Sequence, residues 1–208
     1  IVVDAVEGCI GQTERCIAHA IEHKAALTLV INKVDRLIVE LKLPPTDAYF
    51  KLCHTLDDVN AKIAEAWDAA ALRLDLESEA PRLSPVQGNV LFASAQHGWI
   101  FSLESFASVY AEKSKVDPAQ LAKRLWGDRY FDSTSGQFAK RPPAEGRNVR
   151  SFVAFVLEPL YKIYSHVLGE EPATLKEALL EVGVKMSKED LALDPRPGLL
   201  YTSPSPRD

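Results

Sequence analysis

Residues 1–31 constrain the chain more than any other stretch. IVVDAV at 1–6 and AALTLVI at 25–31 are apolar and rich in β-branched residues, the composition of strands buried on both faces. Gly8 to Gly11 reads as a turn, and 13–24 then carries Ile17, Ala20 and Ile21 at helical spacing, with Thr13 placed to cap the helix. A strand, a helix and a strand in so short a span pack as a right-handed parallel crossover. A third apolar run at 89–93 extends the sheet. The expected fold class is therefore α/β, with a parallel sheet.

In open α/β sheets, ligands bind in the loops beyond the carboxyl ends of the strands. The second strand ends in Asn32-Lys33-Val34-Asp35 and the third in Ser94-Ala95-Gln96. Guanine presents N1–H and its 2-amino group side by side. The ionised carboxylate of Asp35 has two acceptor oxygens and no donor, so it matches that pair in one bidentate contact. Adenine lacks the pair and would leave a buried carboxylate unsatisfied, which discriminates against it. Asn32, both donor and acceptor, can reach guanine N7 and brace the neighbouring loop. The Lys33 stem can lie along the base with its ammonium group in solvent. The Ala95 backbone N–H is placed to meet guanine O6, Ser94 to hold Asp35, and Gln96 to cover the base. Three fixed residues recur by chance in roughly a few of every hundred chains of this length. The weight of the motif comes from its place behind an apolar strand and from the second loop.

A net charge of -5 argues against holding nucleic-acid phosphates by bulk electrostatics. Cys9, Cys16 and Cys53 have no metal-ligand spacing and read as reduced thiols of cytosol or nucleus. No apolar run approaches the ~20 residues that cross a bilayer, so no membrane role is expected. The pattern continues with a short helix at 35–43 stopped by Pro44-Pro45, and a helix at 46–67 carrying Tyr49, Leu52, Cys53, Leu56, Val59, Ile63 and Trp67. A surface excursion is expected at 68–87. Beyond a boundary near Ser102 come helices at 103–110 and 118–126, and two short strands around a Ser-Gly turn within 128–142. A long amphipathic helix follows at 147–168, with Phe152, Phe155, Val156, Leu160, Ile163 and Val167 inward. Short helices are expected at 174–182 and 187–193.

IVVDAVEG…QTER, NKVDR, FASAQHGW and LWGDRYFD together resemble a translational GTPase of the elongation factor 2 group, over residues 1–193. Two branches of that group compete. LIVELKLPPTDAYFKL and RSFVAFVLEPLYKIY resemble the GTPase component of the U5 small nuclear ribonucleoprotein, whereas HGWIF resembles elongation factor 2 itself. The first two segments are longer and more idiosyncratic, so the spliceosomal branch is favoured. The resemblance implies the guanine-specificity half of a Ras-like P-loop GTPase domain at 1–101, an inserted α+β subdomain at 102–194, and a tail at 195–208. It implies GTP or GDP as ligand, bound by Asn32, Lys33, Asp35, Ser94, Ala95 and Gln96. On the spliceosomal branch the partners would be the U5 scaffold protein and an RNA helicase, in the nucleus, with snRNA contact open. On the other branch the chain would serve ribosomal translocation in the cytoplasm. An interaction module that holds nucleotide only structurally is a third reading.

No G-x-x-x-x-G-K-[ST] occurs in the sequence. The phosphate loop, the switches and the Mg2+ site of this group are expected before Ile1, because phosphoryl transfer needs all three. The chain starts inside a strand without Met and so reads as an internal fragment. It is expected to carry no catalytic residue and, alone, neither to hydrolyse GTP nor to bind it strongly. LLYTSPSPRD at 199–208 resembles the translation of a transposase sequencing adapter and is set apart from the fold.

The remaining candidates have plainer readings. His19 and His23 are one helical turn apart but lack a third ligand, so they read as a solvated face. Asp57, Asp58 and Glu65 read likewise, and Asp75, Glu77 and Glu79 as a variable loop. His97 follows the base-reading loop and reads as structural or stacking. Trp126, Tyr130 and Phe131 could stack on RNA bases but fit a subdomain core better. Lys140, Arg141 and 147–150 form a weak basic patch.

Overall fold

The computed structural model describes residues 1–74, 79–114, 117–132, 136–142 and 148–169. Strand β1 (Val2–Asp4) leads through helix α1 (Gly11–Glu22) to β2 (Leu29–Asn32). Helices α2 (Val34–Val39) and α3 (Pro45–Leu74) precede β3 (Val90–Ser94). The order in the sheet is β1-β2-β3 and then a fourth strand, β4 (Trp99–Phe101). The first three are parallel, with Val3 opposite Ile31 and Ile31 opposite Phe92, as the crossover pattern requires.

β4 was not legible as a strand. The chain turns at 95–98 and doubles back antiparallel on β3, pairing Ser94 with Trp99 and Phe92 with Phe101. This hairpin puts a left-handed Gly98 (φ 69) in its turn, where glycine avoids the Cβ clash. The loop at the end of β3 is therefore closed by its own return strand.

Several boundaries differ from expectation. α1 starts directly from the extended Ile10 with no side-chain cap, and Thr13 is buried within its first turn instead of capping it. α3 continues past 67 through DAAALRL to Leu74, because Ala, Leu and Arg have the strongest helix propensities. Ala70 buries against the core and Arg73 reaches Glu22 at 2.8 Å. The expected surface excursion is thus helix in its first part. Farther on it is pinned: the Asn60 amide donates to the Leu83 carbonyl at 2.9 Å and accepts the Leu83 N–H at 2.8 Å. Asp75 and Glu77 lie outside the described residues.

After β4 come α4 (Leu103–Ser114), α5 (Pro118–Leu125), the antiparallel pair β5 (Tyr130–Asp132) and β6 (Gln137–Ala139), and α6 (Glu158–Gly169). α5 has the side-chain cap that α1 lacks, the Asp117 carboxylate accepting from Ala119 N–H. A π turn at Val153–Leu157 leads into α6. Val153 and Leu157 bury there beside Phe152 and Val156. Phe92 lies 5.6, 5.5 and 5.2 Å from the rings of Phe101, Trp126 and Phe152. Trp126, Tyr130 and Phe131 are thereby spoken for: Trp126 packs on Tyr49 and Phe152, Tyr130 is buried, and Phe131 packs on Phe138 and Phe155. The helices expected at 174–182 and 187–193, and the tail, lie outside the described residues.

Candidate nucleotide-binding site

β2 and β3 are neighbours, so the loops at their carboxyl ends meet. The Asn32 side-chain oxygen accepts the Ala95 N–H at 2.9 Å, tying the two loops together. Asn32 thus braces the second loop. The Ala95 N–H, expected to face a base, is engaged by Asn32 in this structure.

Lys33 turns the chain from strand to helix in a left-handed conformation, φ 60. Its ammonium group is not solvated alone, as the sequence suggested, but sits 3.0 Å from Asp4 Oδ2. Arg36 reaches the same oxygen at 3.0 Å and Glu40 at 2.7 Å. The other Asp4 oxygen accepts the Val6 N–H at 2.8 Å. Burial pushes the Asp4 pKa up, but the Val6 hydrogen bond and Lys33 outweigh it and hold the carboxyl below its usual value. Asp4, at the end of β1, therefore anchors the loop that follows β2.

Asp35 lies in the first turn of α2 between the buried Val34 and Leu37. Its residue exposure is 4%, and its Oδ1 is buried with no hydrogen-bond partner among the described residues. Buried polar atoms are nearly always paired, with protein, ordered water or ligand, so this oxygen is open to a donor beyond the described side chains. Its Oδ2 is 3.8 Å from His97 Nδ1. Ser94 was expected to hold Asp35. Instead Ser94 Oγ accepts the His97 backbone N–H at 3.2 Å and lies 3.3 Å from His97 Nδ1. Ala95 and Gln96 are exposed at the rim.

His97 is buried, and Tyr164 of α6 approaches its Nδ1 at 2.9 Å. Burial lowers its pKa, against a smaller upward pull from Asp35. Tyr164 is a site neighbour that sequence reasoning missed. It lies far along the chain, and only the packing of α6 brings it in. Among the described residues, no group of three or more His, Cys, Asp or Glu could hold a metal ion. Of the weak basic patch, Arg150 is committed to Asp128 at 2.9 Å and to the Phe50 ring at 4.7 Å. Lys140 and Arg141 are exposed, and Arg147 is outside the described residues.

A mostly parallel α/β sheet with two polar loops meeting at adjacent strand ends defines a Ras-like nucleotide-binding domain. Residues 1–184 match the elongation factor Tu GTP binding domain, and the chain belongs to that family. It is 47% identical over 199 residues to the 110 kDa U5 small nuclear ribonucleoprotein component CLO of Arabidopsis thaliana, covering 95% of this chain and 19% of that protein. It is 46% identical over 198 residues to the pre-mRNA-splicing factor cwf10 of Schizosaccharomyces pombe, covering 95% and 19%. It is 37% identical over 206 residues to the pre-mRNA-splicing factor SNU114 of Saccharomyces cerevisiae, covering 97% and 19%. The chain thus spans about a fifth of the length of these curated relatives.

Proposed function

We propose that these residues are the guanine-reading part of a GTP-binding subunit of the U5 small nuclear ribonucleoprotein, which controls helicase-driven remodelling during pre-mRNA splicing in the nucleus. The base-recognition part of this reading rests on Asp35, whose buried, unpartnered oxygen lies where the loops after β2 and β3 meet. Guanine supplies the two donors that a carboxylate can take together. Asn32 orients the base and couples the loops, the Lys33 stem covers one face, Gln96 the rim, and Ser94 and Ala95 shape the wall. For the Ala95 N–H to reach guanine O6 it must share or leave its bond to Asn32.

The spliceosomal assignment is supported by the similarity to U5 components along nearly the whole chain. On this reading the residues that grip phosphates and Mg2+ belong to a longer chain, of which this one is an internal piece. Residues 102–194 form the inserted α+β subdomain, and the partners are the U5 scaffold protein and an RNA helicase. When bound, Mg2+ would neutralise the phosphate charge, and these residues would supply base selection.

The full-length protein, tagged and purified from nuclear extract, is expected to bring down U5 snRNA and to release guanine nucleotide on denaturation. Ribosomal RNA in place of U5 snRNA would refute the spliceosomal reading in favour of the elongation-factor one. Adenine nucleotide in place of guanine would refute the base-reading role.

A further inference from the structure

Behind the carboxylate of Asp35, with His97 Nδ1 3.8 Å from its Oδ2, lies a group of hydrogen-bonded side chains in which the direction of one bond is fixed. The indole N–H of Trp99 can only donate, and it lies 3.1 Å from the Tyr164 hydroxyl oxygen. That oxygen accepts from Trp99, and its own proton can go to His97 Nδ1, 2.9 Å away. Ser94 Oγ, the more distant neighbour of this nitrogen at 3.3 Å, accepts the His97 backbone N–H and keeps its own proton for Nδ1 or for the Tyr164 hydroxyl. With Nδ1 accepting, the imidazole carries its proton on Nε2 and offers no N–H to Asp35 Oδ2 at 3.8 Å.

We propose that Tyr164 is a specificity-determining, positioning residue: its hydroxyl fixes the His97 tautomer and so leaves both Asp35 oxygens open to guanine. The proposal rests on the guanine-reading role of Asp35 given above. Without the hydroxyl, Nδ1 loses its nearer donor, at 2.9 Å, and keeps only Ser94 Oγ at 3.3 Å. A proton on Nδ1 then finds Asp35 Oδ2 as its acceptor after a small ring rotation, and one of the two oxygens that guanine needs is taken. The effect falls hardest on a base that uses both oxygens. Guanine does, whereas hypoxanthine, lacking the 2-amino group, uses one. Tyr164 stands on α6 and Asp35 on α2, so the base site is also tied to the helix that ends the described structure.

The test uses the full-length protein and compares the affinities of GDP and inosine diphosphate. Tyr164→Phe keeps the ring and is expected to narrow the GDP preference by about fivefold, the scale of one hydrogen bond. Adding His97→Leu to Tyr164→Phe removes the competing N–H and is expected to restore the preference, which a packing role for Tyr164 would not do. Asp35→Asn is the control for the underlying reading. If it leaves the GDP preference intact, Asp35 does not read guanine. If it removes the preference while Tyr164→Phe keeps it, or if His97→Leu fails to restore it, the proposed role of Tyr164 is overturned. Imidazole 15N shifts of the unmodified protein give a second measurement, independent of how the variants fold. An unprotonated Nδ1 on His97 is expected, and a protonated one would overturn the proposal.

Discussion

Replacing Asp35 with Asn should make the nucleotide-free chain more stable while removing its guanine preference. Asp35 is 4% exposed and its Oδ1 has no partner. A buried acceptor left unsatisfied costs about 1–3 kcal/mol. Asn keeps the shape and removes the charge. It gives up the favourable placement of a carboxylate in the first turn of α2, worth about 0.3–1 kcal/mol. It loses little from His97, which burial keeps in its neutral form near neutral pH. The new amide needs an acceptor, and His97 Nδ1, 3.8 Å from Asp35 Oδ2, is one it would share with Tyr164. The balance is a gain of about 1 kcal/mol, which for a chain of this size raises Tm by about 2–4 °C. Urea titration of the 208-residue chain, followed by tryptophan fluorescence, should show a higher midpoint with an unchanged slope. A loss of stability of about 1 kcal/mol or more would mean that the carboxylate is satisfied within the chain, and that its unpaired oxygen says nothing about a ligand.

Two further perturbations follow from the packing and the charges. Phe92 is fully buried among the rings of Phe101, Trp126 and Phe152. Phe92→Ala should therefore cost about 3–5 kcal/mol and sharply lower the urea midpoint; a shift equivalent to less than about 1 kcal/mol would contradict this packing. His97 has a folded-state pKa below its unfolded value, so the unfolded chain binds the proton more readily. Its contribution is fully present above the unfolded pKa of about 6.5 and is lost as pH falls below it. Stability measured across that window should fall with pH in the parent and fall less in His97→Leu; parallel curves would rule the contribution out.

The sheet was legible because IVV and LVI are apolar and rich in β-branched residues, although β1 is buried on one face only, Val3 lying in the core and Val2 exposed. The site loops were legible because polar residues follow those runs directly. β4 was hidden: HGWIF is short, and its pairing depends on a turn rather than on alternation. The end of α3 was misjudged because charged and Ala-rich sequence looks like loop when its helix propensity is not summed. The role of Ser94 was misassigned because sequence spacing cannot say which of two neighbours, Asp35 or His97, a hydroxyl will meet. Tyr164 could not have been placed by any local signal, since α6 reaches His97 and the loop after β3 only through tertiary packing.

Lys33 carries a consequence of a different kind. Among the described residues, three lysines have positive φ, Lys24 at 51, Lys33 at 60 and Lys42 at 50. Lys24 and Lys42 follow helix ends, where a left-handed residue is an ordinary terminator. Lys33 precedes a helix, and a side chain there costs about 1–2 kcal/mol relative to a helical or extended backbone, a strain glycine would avoid. Its ion pair with Asp4 is half exposed on the lysine side, at 51%, and exposed pairs return little. Lysine is therefore a costly choice for this loop by itself, just as an unpaired carboxylate is for position 35. On the proposed reading a bound guanine would offset both costs, so nucleotide binding and the local stability of the β2 end would rise together.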